Sequence, residues 1–288
     1  MTNSMGRTRK KRLHPADIGI YVLLTVVCFF WILPLAWLVM TSLRGEGGAY
    51  TTYLIPKTFT LNNFARLFTE TQQFNYPRWF LNTLVVAVGS CALSTLYVLM
   101  LSHAFSRLRF ATRTLAMNII LVLGMFPGFM SMIAVYHILK AFGLNQSLVS
   151  LMLVYSGGSI TKYYITKGFF DTVPRTLDEA AAIDGATQGQ ILRKIILPLS
   201  KPIITYTVLT SFLAPWGDFI FASVIMKDNY NSYTIAVGLY RMLERENLDA
   251  YFTRFCAGAI LIAIPITLLF IKMQRYYVEG VTGGSVKG

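Results

Sequence analysis

Acidic side chains are scarce in this chain of 288 residues: 13 Asp and Glu stand against 26 Lys and Arg, for a net charge of +13. Charge of either sign makes up only 14% of the chain while 55% is hydrophobic, which excludes an intrinsically disordered chain and an ordinary soluble domain. Cysteine is rarer still. Cys28, Cys91 and Cys256 lie in apolar stretches at unrelated spacings, so neither a disulfide framework nor a CxxC metal or redox site is supported, and they read as lipid-facing or packing residues. Also missing are a GxxxxGK[ST] phosphate loop, an HExxH metal site, a GxSxG nucleophile turn and any His/Asp cluster. A nucleotide cradle and hydrolytic machinery are therefore not expected in this chain. Neither a zinc finger nor a stacking platform accompanies the basic surplus, so nucleic acid is not its partner; anionic lipid headgroups are.

What is there is a series of long apolar runs. A helix crossing a hydrocarbon layer of roughly 30 Å needs about 20 residues. Six such runs are expected as spans, at 18–41, 79–102, 115–136, 146–165, 203–226 and 255–271. The first is too long and too aromatic for a cleaved signal and is read as retained. Positive charge alternates between the connections. One set holds Arg7, Arg9, Lys10, Lys11 and Arg12, then Arg107, Arg109 and Arg113, then Lys167, Arg175, Arg193, Lys194 and Lys201, and finally Lys272, Arg275 and Lys287. The opposite set is poorer, which places the richer one, and both termini, in the cytoplasm. The expected fold is thus an all-α integral membrane protein of six transmembrane helices: a basic cytoplasmic segment 1–17, a membrane domain 18–271 and a cytoplasmic tail 272–288.

The connection between the fourth and fifth spans, 172–200, carries a helical pattern of its own. Pro174 opens it, and Thr176-Leu-Asp-Glu179 has the spacing of a capping box. Asp178 and Glu179 complement the helix dipole, Ala180, Ala181 and Ala182 favour helix with little bulk, and Gly185 supplies a stop. A second box, Thr187-Gln-Gly-Gln190, begins a further helix that Pro198 is expected to break. Two readings are open for this helix–glycine–helix unit: a smooth plug for a groove on another protein, or a helix lying on the membrane surface.

The residues Glu179-Ala180-Ala181, Gly185 after three more, Ile195 after nine more, and Leu197-Pro198 resemble the EAA loop of bacterial ABC importer permeases. Segments 50–56, 80–83, 178–202, 215–222 and 280–288 are similar to the smaller permease subunit of maltose/maltodextrin-type importers, so nearly the whole chain takes part. The resemblance implies a coupling helix in which Glu179, Ala180, Ala181 and Gly185 meet the ATPase, with Asp184, Ile195, Leu197 and Pro198 supporting the loop. It also implies a second, larger permease subunit, two ATPase subunits that bind ATP and Mg, an external solute-binding protein, and an oligosaccharide cargo, most simply a maltodextrin, entering through the bacterial cytoplasmic membrane. This chain would then hold no cofactor and would not itself be an enzyme. In the tail, Gly283, Gly284, Ser285 and Lys287 would reach the ATPase subunits.

Within the spans, Asp218 is the one carboxylate deep in an apolar run, and such a group costs roughly 2.5–3.5 kcal/mol by insertion scales. With Trp216 it forms a candidate point on a sugar path, behind a helix break at Pro215 and Gly217; pairing with the neighbouring permease is the other reading. Lys162 is expected to snorkel to the interface. His103 and His137 read as interfacial residues at span ends, and the pairs at Gly157-Gly158 and Pro127-Gly128 as packing or kink sites. A self-sufficient secondary transporter or channel remains the alternative function; it would need more ionisable groups than one Asp218.

Overall fold

The computed structural model describes residues 15–126 and 128–282. Among them, regular structure is helical throughout, and extended pairing is limited to an isolated bridge between Arg44 and Phe59. In chain order the helices are α1 (Pro15–Ser42), α2 (Asn62–Thr69), α3 (Tyr76–Arg107), α4 (Arg113–Gly124), α5 (Gly128–Ala141), α6 (Leu148–Gly158) and α7 (Lys162–Thr172). Then follow α8 (Arg175–Ile183), α9 (Gln188–Leu199), α10 (Lys201–Gly217), α11 (Ile220–Met226), α12 (Ile235–Met242) and α13 (Leu248–Thr282).

Among the described residues, three helices are long and apolar enough to cross a bilayer: Asp17–Ser42, Tyr76–Arg107 and Leu248–Gln274. The first, second and sixth expected spans correspond to them, the second and sixth with extra turns at both ends. The middle three are each interrupted, close to the Pro127-Gly128, Gly157-Gly158 and Pro215/Gly217 sequences that were expected to kink, pack or break the helix. The third divides into α4 and α5 around Met125-Phe126-Pro127, a sequence in which proline biases the residue before it away from helical dihedrals. The fourth tightens into a 3₁₀ turn at Ser159–Thr161, just past Gly157 and Gly158, and continues as α7. The fifth stops at Gly217, passes Asp218 in extended conformation and resumes as α11. Proline and glycine supply the common cause: each leaves backbone groups or conformational freedom that a straight helix cannot use.

The 32-residue α3 is the central post, about 48 Å long at 1.5 Å per residue, and α6, α7, α10 and α12 all pack on it. At its N-terminal end, Tyr76, Trp79, Trp216, Tyr233, Ile235 and Met242 form the heart of the main core. At its other end a smaller core joins Phe170, Val173, Ile191, Ile196 and Ile203. α1 lies along α13 with Trp37 against Phe252, ring centroids 5.9 Å apart, and leaves its other apolar faces exposed.

Candidate functional site

The segment between α7 and α10 forms a bent, largely bare protrusion. Pro174 is the N-cap of α8, so Thr176 lies inside the first turn and the expected Thr176–Glu179 capping box does not form. Asp178 turns inward instead and pairs with Arg107 at the end of α3, 2.8 Å away, with only 5% of the arginine side chain and 16% of the aspartate side chain exposed. Glu179 is left facing outward.

The stop at Gly185 is as expected. Its φ of +83° is cheap only for glycine, and the carbonyls of Ala182 and Ala181 accept from the N–H groups of Gly185 and Ala186 at 3.0 and 2.9 Å. That bond pattern is a Schellman cap, and Ala181 and Ala186 both pack on the small core beneath it. The second box is also present: Thr187 N–H donates to Gln190 Oε1 at 2.8 Å, and Gln190 N–H to Thr187 Oγ1. Pro198 does not break the following helix. A π-type turn over Leu192–Ile196 widens the backbone where the proline ring would meet the carbonyl of Lys194, so α9 continues to Leu199. The turn at Ser200 then sends α10 away at 85°.

A buried polar clamp fastens this unit to α3. Besides its ion pair with Asp178, Arg107 donates to the Val173 carbonyl at 2.9 Å. Arg175 donates to the Ser106 carbonyl at 3.1 Å, and the Ser106 hydroxyl to Asp171 at 2.6 Å. His103 is buried beside them, 7% exposed and with neither ring nitrogen hydrogen-bonded among the described residues, so it is not the interfacial histidine expected at a span end. Arg107 had been counted only as a topology marker. The signal that could have found its role is a second acidic residue, Asp178, beside Glu179 on a short helix that continues into three alanines.

No residue of α8 is buried. Ile183 is 86% exposed, and Leu177, Glu179, Ala180 and Ala182 lie open beside it. Glu179, Ala180, Ala181, Asp184 and Gly185 therefore share one corner, with Ile195, Leu197 and Pro198 on the helix behind it. Such a surface holds no nucleophile–base arrangement. It offers a small, partly apolar knob carrying two exposed carboxylates, Glu179 and Asp184.

Trp216 and Asp218 lie elsewhere, near the opposite end of α3. The Trp216 indole is 3% exposed, set against Phe80 and Phe212, so neither of its faces is free for a sugar ring. Asp218 is half-buried and paired within the chain: it accepts from the Tyr155 hydroxyl at 2.7 Å and from the Phe221 N–H at 3.0 Å, capping α11. Lys162 reaches Ser211 on α10 at 3.0 Å rather than an interface. The expected tail residues Gly283, Gly284, Ser285 and Lys287 lie outside the described residues.

Comparison with known proteins bears on this geometry. The galactooligosaccharides transport system permease protein of Bacillus subtilis is 36% identical over 269 residues, spanning 93% of this chain and 94% of the relative. A maltodextrin transport system permease protein of the same organism is 35% identical over 93% of this chain and 95% of its own length. The maltose/maltodextrin transport system permease protein of Escherichia coli is 32% identical over 98% of both. Among solved structures, one chain of a bacterial ABC transporter importing the acidic polysaccharide alginate superposes with a TM-score of 0.76 at 20% identity, over 92% of this chain and 99% of that one. It shares the fold. Residues 98–282, from the second half of α3 through α13, match the binding-protein-dependent transport system inner membrane component, and the chain belongs to that family.

Proposed function

We propose that this chain is a permease subunit of an ATP-binding-cassette importer that carries an oligosaccharide into a bacterial cell, and that α8 is the part through which separate ATPase subunits drive it. The observation that carries this reading is a helix with no buried residue, clamped at its base by Arg107 and capped by Gly185, on a chain similar to oligosaccharide permease proteins. A helix paid for in caps and a buried ion pair, yet left bare, suits a groove on another protein.

In this reading the chain spans the cytoplasmic membrane six times, with the interrupted middle helices counted as spans and both termini in the cytoplasm. Glu179, Ala180, Ala181 and Gly185 contact the ATPase, while Asp184, Ile195, Leu197 and Pro198 hold the loop. A second permease chain completes the path, an external solute-binding protein delivers the cargo, and ATP and Mg bind only the ATPase subunits. The tail residues Gly283, Gly284, Ser285 and Lys287 reach toward those subunits. Asp218, backed by Trp216, stands on the path as a polar point for saccharide hydroxyls. The named relatives make a maltodextrin or a galactooligosaccharide the cargo to assay first. ATPase closure displaces α8, and the spans exchange an outward for an inward opening.

The test is Glu179→Lys in the assembled complex. Oligosaccharide uptake is expected to fall at least tenfold while membrane insertion and thermal stability stay as in the parent, because the side chain is exposed and surface changes are worth within about 0.5 kcal/mol. Undiminished uptake, or a cysteine at 179 that never crosslinks to a nucleotide-hydrolysing subunit, would sink the reading.

A further inference from the structure

Three side-chain pairs join the α6–α7 run to α10. Thr166 and Thr207 share a hydroxyl contact at 3.4 Å, Lys162 donates to Ser211 at 3.0 Å, and Tyr155 donates to Asp218 at 2.7 Å. Going from pair to pair, the first helix steps back by four and then seven residues while the second steps forward by the same amounts. Four and seven are same-face spacings in a helix; the seven-residue steps cross the 3₁₀ turn at Ser159–Thr161 and end on Asp218, one residue past α10, so the pairs follow one antiparallel line of roughly 16 Å at 1.5 Å per residue. The α6–α7 run packs chiefly on α3, and α10 packs on α3 and α13 alike, while the two touch each other only sparingly. This polar line is a direct hydrogen-bonded link between them.

Its position matters as much as its regularity. α8 and α9 hang between the end of α7 and the start of α10, so a push on the protrusion enters both helices together. At the far end of the line stands Asp218, which also caps α11 across the break in the fifth apolar run. We infer that the three pairs form a seam that stays closed through the transport cycle and makes α6, α7 and α10 a single lever, delivering displacement of α8 to the break at Asp218. Tyr155, Lys162, Thr166, Thr207 and Ser211 are positioning residues in this account. The inference rests on the importer reading above and adds the path of force to it.

The decisive variant is Thr166→Cys/Thr207→Cys, in a chain whose Cys28, Cys91 and Cys256 are replaced by alanine, assembled with its partner permease, ATPase subunits and loaded binding protein in lipid nanodiscs. The hydroxyls at these positions are close enough for a disulfide after small adjustment. Oxidation is expected to crosslink them and to leave at least half of the reduced rate of oligosaccharide transport. Failure to crosslink, or transport abolished by oxidation and returned by reduction, means that the helices lie apart or must part, and overturns the seam alone. A reduced parent complex that neither hydrolyses ATP nor transports overturns the importer reading and the seam with it. In a second measurement, Lys162→Met and Tyr155→Phe should each lower the saccharide moved per ATP at least threefold with hydrolysis retained, and Lys162→Arg should recover most of it. Unchanged ratios in both would overturn the lever. Should Lys162→Met fail to assemble, Thr166→Val, which keeps the shape and removes the hydroxyl, is read in the same way.

Discussion

The two ends of α3 are built on different principles. Around its N-terminal end the chain packs as a soluble domain would. Trp79 is 4% exposed, Tyr76, Tyr233 and Ile235 are buried outright, and the backbone of the α12 segment is pinned to α3 by Asn82, which donates to the carbonyls of Asn231 and Tyr233, and by Thr83, which accepts from the Ile235 N–H at 2.7 Å. Around the C-terminal end a small core carries a helix with nothing buried, and charge and caps replace packing. The first end is complete within one chain. The second holds a surface still in position although this chain does not cover it, which is the property expected of a part that meets a moving neighbour.

Truncation at the packed end breaks this contrast most severely. Trp79 lies so close to Gly238 that a Cβ there would fall 2.1 Å from the indole, and Phe74 packs edge-on at 6.0 Å. Trp79→Ala is expected to cost about 3–5 kcal/mol, read as a lowered unfolding midpoint of the purified complex. A loss below about 1 kcal/mol would mean that the α12 end is not a load-carrying core. At the other end the corresponding change is electrostatic. Arg107→Met strands Asp178 beside the protein interior and should cost about 3 kcal/mol, while Arg107→Met/Asp178→Leu should recover most of that loss, since replacing both partners removes the uncompensated charge. The double variant is the sharper test, because a helix held by packing rather than by the pair would show no recovery.

How legible each end was in the sequence follows from the same difference. Helix 175–183, its glycine stop and the Thr187 box are local features, written within sixteen consecutive residues, and they were readable to within a residue or two. The Thr176 box failed because the helix begins ahead of it, with Pro174 as its N-cap; the pairing of Asp178 with Arg107 was not legible either, since no local pattern announces a contact across some seventy positions. The interruptions in the middle spans were legible from glycine and proline, as a kink or packing site at Gly157-Gly158 and a break at Pro215 and Gly217, and not from hydropathy, which averages over about twenty residues and passes across both sites without change. Trp216 was misplaced because an aromatic near a break fits a sugar platform and a core wedge equally well until Phe80 and Phe212 are seen against it. Lys162, Ser211, Thr166 and Thr207 are individually unremarkable, and only the antiparallel pairing of two helices gives their spacing a meaning.

The smallest expected effect belongs to the packed end and depends on pH. Glu70, just past α2, accepts from Arg66 at 2.5 Å and from Arg254 at 2.7 Å, joining α2 to the start of α13. The hydrogen bond from Arg66, then the nearby Arg254 charge, hold its carboxyl below the ordinary value of 4.5, against the opposing pull of partial desolvation. The folded chain therefore keeps this carboxylate ionised at a pH where the unfolded chain has begun to protonate it. Its stabilising contribution is fully present above pH 4.5 and fades as pH falls through the depressed folded value. The pair is largely exposed, so the midpoint shift should be slight, and high salt should shrink it further. Glu70→Gln should accordingly unfold a little earlier than the parent at pH 7, and the gap should narrow progressively as pH falls below 4.5. A gap that stays constant as pH is lowered would mean that Glu70 acts through packing, and that even the solvent-facing rim of this end is held as its interior is.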